Sequence, residues 1–388
     1  MRITNVEVYC LGFERTVPSR ASRSWAITKV STDKTVIGWG ESSDCYGHSI
    51  PTAIKEIVED EIRRIVIGRD PTTIRSLSPE VKRYLYRNSN QKGLVAHAFA
   101  GFEIACWDIL GKVERTSVAQ LLGQRRERIP IYAGGTLTFQ QAPGWFGPFF
   151  DDLLGRGVRG VKVRIGNEFT WDVEVVRATR DYIGPDRELL VDAKYNYTTA
   201  SALRLLKAIE PSRPYLLEEP LPPHNLTGMG RLVASSSIPI AYGESLTSVH
   251  DFKLLLDQRA ATVLEPDATV AAGFLECLDI GALAAAHSVP ICLHSGGLTP
   301  IGIAANLHLA AALPSIGLHE YDAAPEQPLR DQLATCRLFS PEEIQDGYLA
   351  VPDGPGLGIE IDESVLERYR YRKRTTSWEF GDYGSPRV

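Results

Sequence analysis

ELLVD at 188–192, PYLLE at 214–218 and IPIAYGE at 238–244 are apolar runs that each close on an acid: Asp192, Glu218 and Glu244. The acids recur at one interval (218 − 192 = 26; 244 − 218 = 26). It holds one strand, one crossover helix and two short loops, so the three carboxylates are expected at the same end of neighbouring parallel strands. Three oxygen donors placed there make a hard-cation site. One acid after an apolar strand is ordinarily a turn residue or a helix cap. Three in phase differ, because carboxylates crowded at one mouth repel strongly unless a cation or several basic groups neutralise them.

The spacing continues in both directions. Asp267 (VLEPD), His294 (PICLH) and Glu320 (IGLHE) follow at intervals of 23, 27 and 26, and VKVRIG with Lys162 and Arg164, then IPIYAGG at 129–135, precede. Eight strands are expected near 129–134, 160–166, 188–193, 214–219, 238–244, 262–267, 289–294 and 316–320. Helical spacing lies between them in WDVEVVRATRDYI, ASALRLLKAI, VHDFKLLLDQ, FLECLDIGALAAAH and IGIAANLHLAAAL. Such alternation predicts an α/β parallel barrel with helices outside and chemistry at the C-terminal strand ends, where every residue just named falls.

With 388 residues the chain exceeds a bare barrel of about 250, so a further domain is expected. Residues 1–125 alternate early (ITNVEVYCLG; SWAITKVSTDKTVIGWGES) and then turn helical (SIPTAIKEIVEDEIRRIV; AHAFAGFEIACWDILGKV), an α+β domain ahead of a barrel at 126–345. Residues 346–388, containing QDGYLAVPDGPGLGIEID from 345 onward, offer short extended pieces and are expected to return to the first domain, with the last barrel helix absent or replaced. ERTVPSRASRS (14–24) and SSDCYGHS (42–49) read as loops, the first either a basic lid or an ordinary hairpin loop. Arg20, Arg23, Tyr46 and His48 are their candidate substrate-binding residues.

A net charge of −6 gives no reason to expect nucleic acid or an anionic membrane as partner. The longest apolar stretch, IGALAAAHSVPICL, is short and interrupted, and MRITNVEVYCLG lacks signal-peptide character, so no membrane partner is expected. Cys10, Cys45, Cys106, Cys277, Cys292 and Cys336 form no CxxC pair and read as reduced residues of a cytoplasmic protein.

The sequence resembles the enolase superfamily, and within it the mandelate racemase-like subgroup. The resemblance rests on GWGES (38–42), KVR (162–164), VDA (191–193), LLEEP (216–220), YGES (242–245), PDATVAAG (266–273), His294, LHE (318–320) and VPDGPGLGIEID (351–362), in family order over nearly the whole chain. It implies a (β/α)7β modified TIM barrel under an α+β capping domain completed by the C-terminal segment. It further implies one Mg2+ per subunit held by Asp192, Glu218 and Glu244, with Glu219 only a neighbour, and a homo-oligomer between dimer and octamer.

A proton on the carbon beside a carboxylate is weakly acidic because its loss puts a second negative charge on the same group. Mg2+ and Lys162 beside that oxygen would stabilise the enediolate. Glu320 would hydrogen-bond the other oxygen if burial among acids keeps it protonated; the alternative is an ion pair with an arginine. Asp267 would fix the tautomer of His294 and raise its basicity, an arrangement suited to a general base, although a lone buried His is more often structural.

Two departures from the subgroup carry the finer expectation. Arg164 stands where racemases place a second Lys, and a guanidinium is a poor base, so two-base racemisation is disfavoured. Lys194 stands where many relatives have Asn. If strand geometry persists past Asp192, Lys194 would enter the site, where it could protonate a departing hydroxyl, bind a substrate hydroxyl or pair with Glu218. The expected function is dehydration of an aldonic or aldaric acid, a small-molecule carboxylate, to a 2-keto-3-deoxy acid. The alternatives are a racemase or epimerase of an α-hydroxy acid, and a metal-binding barrel without turnover. Cycloisomerases are disfavoured because those of the superfamily place a Lys on the sixth strand.

Overall fold

The computed structural model describes residues 1–15, 21–43, 50–89, 92–134, 147–324 and 327–372. At the amino end, β1 (Ile3–Arg15), β2 (Ala21–Thr32) and β3 (Ile37–Ser42) form an antiparallel sheet in that order. The helix Leu94–Glu114 lies against it. Gly38 and Gly40 of β3 permit this close approach, since a Cβ at either would stand 2.0 or 1.8 Å from a carbonyl oxygen of that helix. By length and apolarity Leu94–Glu114 could cross a membrane, but 83% of its apolar window is buried as the core of this domain. The helix Ile74–Asn88, with Pro79 inside it, lies outside the stretches read as helical from sequence.

The barrel strands are β4 (Arg128–Gly134), β5 (Gly160–Arg164), β6 (Glu188–Asp192), β7 (Leu216–Glu218), β8 (Ile240–Tyr242), β9 (Val263–Leu264) and β10 (His319–Asp322). They pair in parallel in the order β10-β4-β5-β6-β7-β8-β9. The expected seventh strand is reduced to a bridge at Ile291, yet it still closes the barrel: Cys292 N donates to Leu264 O (2.9 Å) and Gly317 N to Ile291 O (2.7 Å). Pro290 lacks an N–H, which shortens the ladder there. The five helices read from the sequence are present at Phe169–Ile183, Thr199–Ile209, Val249–Asp257, Phe274–Ala286 and Pro300–Ala312. Between β10 and Tyr348 the described residues make only the short helices Pro328–Gln332 and Pro341–Glu343, and a third short helix, Glu363–Arg368, comes near the end.

The C-terminal segment binds both domains. β11 (Tyr348–Ala350) pairs with the start of β4, while Leu357 N donates to Asp108 Oδ1 of the capping-domain helix (2.9 Å) and Tyr371 N to Cys10 O of β1 (2.8 Å). Inside the barrel, Tyr132, Leu190, Leu216, Ala241, Val263 and Cys292 pack as a separate apolar plug. Strand alternation then aims the residue two positions on, at the C-terminal end, into the same space: Asp192 after Leu190, Glu218 after Leu216, His294 after Cys292.

Candidate active site

Asp192 and Glu218 are register partners on β6 and β7, one strand from Arg164, which pairs with Asp192 in the β5 register. Glu244 lies past β8 and is aimed by a turn at Gly243, whose φ of +133° and contact with Phe252 exclude a larger residue. All three acids are buried. The basic groups meet them directly. Lys162 Nζ donates to both oxygens of Glu218 (2.8 and 2.9 Å) and lies 3.0 Å from Glu320 Oε1, and Arg164 Nε donates to Asp192 Oδ2 at 2.7 Å.

Burial pushes the Glu218 carboxyl up to about 8, and crowding by Asp192, Glu244 and Glu320 adds to it against the pull of Lys162. Burial would raise Asp192 too, but Arg164, Lys162 and Lys194 together hold it below the usual range. Burial opposes charge on Lys162, yet Glu218 and Glu320 hold its ammonium well above its ordinary value. Among the described residues no three His, Cys, Asp or Glu side chains stand together as a group that could hold a metal ion, and Lys162 and Arg164 are bonded to the carboxylates of Glu218 and Asp192. Carboxylate oxygen is the donor type that a hard divalent cation such as Mg2+ takes.

On the opposite side His294 Nδ1 is 2.9 Å from Asp267 Oδ2. Its Nε2 faces Glu244 Oε2 at 3.5 Å and Glu320 Oε2 at 3.7 Å. Burial lowers the His294 pKa, but the hydrogen bond to Asp267 and the nearby Glu320 and Glu244 outweigh it and bring the imidazole to about 9. Asp267 Oδ1 accepts from Thr269 N (2.8 Å), Thr269 Oγ1 (2.7 Å) and Asn306 Nδ2 (2.9 Å).

The structure alters three expectations. Glu320 is held ionised: burial would raise its pKa, but Lys162 and His294 bring it below the usual value, and its partner is a lysine, not an arginine. Lys194 does not continue the strand, because it and Tyr195 have φ of +42° and +63° and its backbone N–H turns back to Asp192 Oδ1 (2.9 Å), so i, i+2 alternation does not apply. Arg23 lies in β2, paired with Phe13, and not in a loop; its Nη1 is 3.3 Å from Asp322 Oδ2. Hairpin pairing carries the strands further toward the turn than composition suggested. Arg20, Tyr46 and His48 fall outside the described residues.

Sequence reasoning missed several residues around this site. Asn306 is one of two polar residues, with His308, in the apolar helix Pro300–Ala312, and Glu265 is an inward-facing acid with an unpartnered, buried Oε2. Glu41 and Glu103, fully buried in the capping domain, accept from the first turns of two barrel helices. Glu41 binds Thr299 Oγ1 (2.6 Å) and Gly302 N (2.9 Å), and Glu103 binds Phe274 N (2.8 Å).

Residues 2–123 match the mandelate racemase / muconate lactonizing enzyme N-terminal domain, and residues 150–365 the enolase C-terminal domain-like family. The chain belongs to the enolase superfamily. Both of its domains are present in the one chain, which is an enzyme of that superfamily. Among its relatives, a D-galactonate dehydratase of Ralstonia nicotianae is 32% identical over 98% of each chain. A D-galactarolactone cycloisomerase of Agrobacterium fabrum is 31% identical over 95% of this chain and 99% of its own. The crystal structure of an enolase superfamily member from Polaromonas superposes with a TM-score of 0.87 at 30% identity, covering 96% of this chain and 98% of that one.

Proposed function

We propose that this enzyme removes the proton beside the carboxylate of a polyhydroxy acid and expels the neighbouring hydroxyl as water. The observation that carries the reading is the disposition of Lys162 and His294 about one carboxylate: Lys162 Nζ stands 3.0 Å from Glu320 Oε1 and His294 Nε2 3.7 Å from Oε2. A base and a charge-stabilising cation thus flank the same small space. Mg2+ held by Asp192, Glu218 and Glu244 would supply the positive charge that offsets these acids and the charge growing on the substrate carboxylate. His294 Nε2 takes the C2 proton, and the electron pair passes into the carboxylate as an enediolate beside Lys162. Collapse of the enediolate breaks the C3–O bond, and protonated His294 or Lys194 returns a proton to the departing hydroxyl. The enol product tautomerises to a 2-keto-3-deoxy acid. The relatives named as D-galactonate dehydratases support an acid sugar as the substrate class.

Purified enzyme with Mg2+ is to be incubated with a panel of aldonic and aldaric acids and assayed for 2-keto acid. His294→Asn should remove turnover and leave fold and Mg2+ binding intact. Deuterium entering C2 with no keto acid from any substrate would replace dehydration by racemisation, although Arg164, engaged with Asp192, offers no second base. The D-galactarolactone cycloisomerase relative makes cycloisomerisation the second reading, despite the absence of a sixth-strand lysine. Lactone consumption without water loss would favour it.

A further inference from the structure

We propose that Asn306 is a positioning residue for the His294–Asp267 pair, fixing both partners at once from the helix that follows them. The proposal rests on the reading of His294 as the base. Asn306 is completely buried. Its Nδ2 donates to Asp267 Oδ1 (2.9 Å) and to the backbone oxygen of His294 (3.3 Å), and its Oδ1 accepts from Ala268 N (2.9 Å). The amide can sit only one way round. Reversed, its oxygen would face two acceptors and its NH2 the Ala268 N–H. With Asp267 Oδ1 filled by Asn306 and Thr269, Oδ2 is directed at His294 Nδ1. In the neutral imidazole, a proton held on Nδ1 leaves Nε2 as the lone pair facing the site.

The support runs outward to the other domain. Asn306 rides on the helix Pro300–Ala312, whose first turn is held by Glu41, and Trp25 Nε1 donates to Gly297 O (2.7 Å) in the loop joining His294 to that helix. Ser295 N, in the same loop, donates to Glu320 Oε2 (3.2 Å). One clamped segment thereby carries His294 and steadies Glu320.

The test uses the full-length, Mg2+-loaded protein and the variant Asn306→Asp. It keeps the size and an acceptor for Ala268 N, but replaces the amide donor by a second carboxyl that must share a proton with Asp267 in competition with His294. A fall in kcat of about 10–100-fold with KM little changed is expected, as for other groups that orient a reacting side chain. In parallel, the 15N imidazole resonances of neutral His294, a single Nδ1–H tautomer in the parent, should shift toward a mixture. Asn306→Ser, which retains a donor on a shorter arm, should lie between the two. Parent-like tautomer and kcat in a folded Asn306→Asp protein would overturn the proposal, as would loss of fold in both variants, which would leave Asn306 a core residue only. The resonance readout needs no substrate. Failure of the parent to act on any acid would therefore count against the proposed function and leave the positioning role to be judged on its own.

Discussion

Lys162 divides its charge between Glu218 and Glu320 while its ammonium lies 5.5 Å from the centre of the Tyr132 ring. Lys162→Met keeps the stem and deletes the charge. The expected cost is about 10²–10³ in the rate of C2 proton exchange, read by deuterium incorporation from solvent, as for loss of a donor aimed at developing negative charge. In chelator-treated protein the same change strands two buried acids, and urea titration should record a loss of about 3–5 kcal/mol. At this scale the sequence was legible wherever strand spacing alone aims a side chain, as for Asp192, Glu218, Asp267 and His294. It was not legible where a turn intervenes, because the positive φ at Lys194 is set by local packing that spacing does not encode. Nor did spacing disclose that Glu320 meets Lys162, a pair on the two strands that flank β4 and 158 residues apart (320 − 162 = 158).

At the level of elements, Glu41 and Glu103 act as caps supplied by another domain to the helices beginning at Pro300 and Phe274. Burial brings the Glu41 carboxyl to about 8 and that of Glu103 to about 7, against an ordinary 4.5, although the helix N–H groups pull both down. Between these values the folded chain holds protons that the unfolded chain has already released. The stability they add is therefore fully present below about 4.5 and lost as pH rises to about 8. Urea midpoints should fall from pH 5.5 to pH 8.5, and the fall should be smaller in the Glu41→Gln/Glu103→Gln double variant. An equal fall in both proteins would refute the assignment. The helices themselves were readable from 3.6-residue spacing. These caps were not, since GWGES and FEIACWD lie far along the chain from the helix starts they serve.

For the whole molecule, Mg2+ held as proposed by Asp192, Glu218 and Glu244 would be a stabilising ligand. At 100 times Kd, binding to the folded state alone adds about 2.7 kcal/mol. Melting temperature should rise with Mg2+ and fall on chelation, and Asp192→Asn should blunt both responses. An unchanged melting temperature across the titration would count against these acids as the cation site. The expectation of two domains drew on length and on the change in periodicity near residue 125. The course of the C-terminal segment was only half so, since β11 first adds to the barrel at β4 before the chain reaches β1.

The carboxylates that cross from the capping domain also bear on how such enzymes diversify. A borrowed amino-terminal domain would be accepted only if it presented acids where Glu41 and Glu103 stand. Both helices it must engage follow the segments bearing His294 and Asp267. Recombination between lineages is thus filtered at the seam before any substrate is met. Chimaeras joined near residue 125 should be recovered as folded, active protein chiefly when both acids are retained.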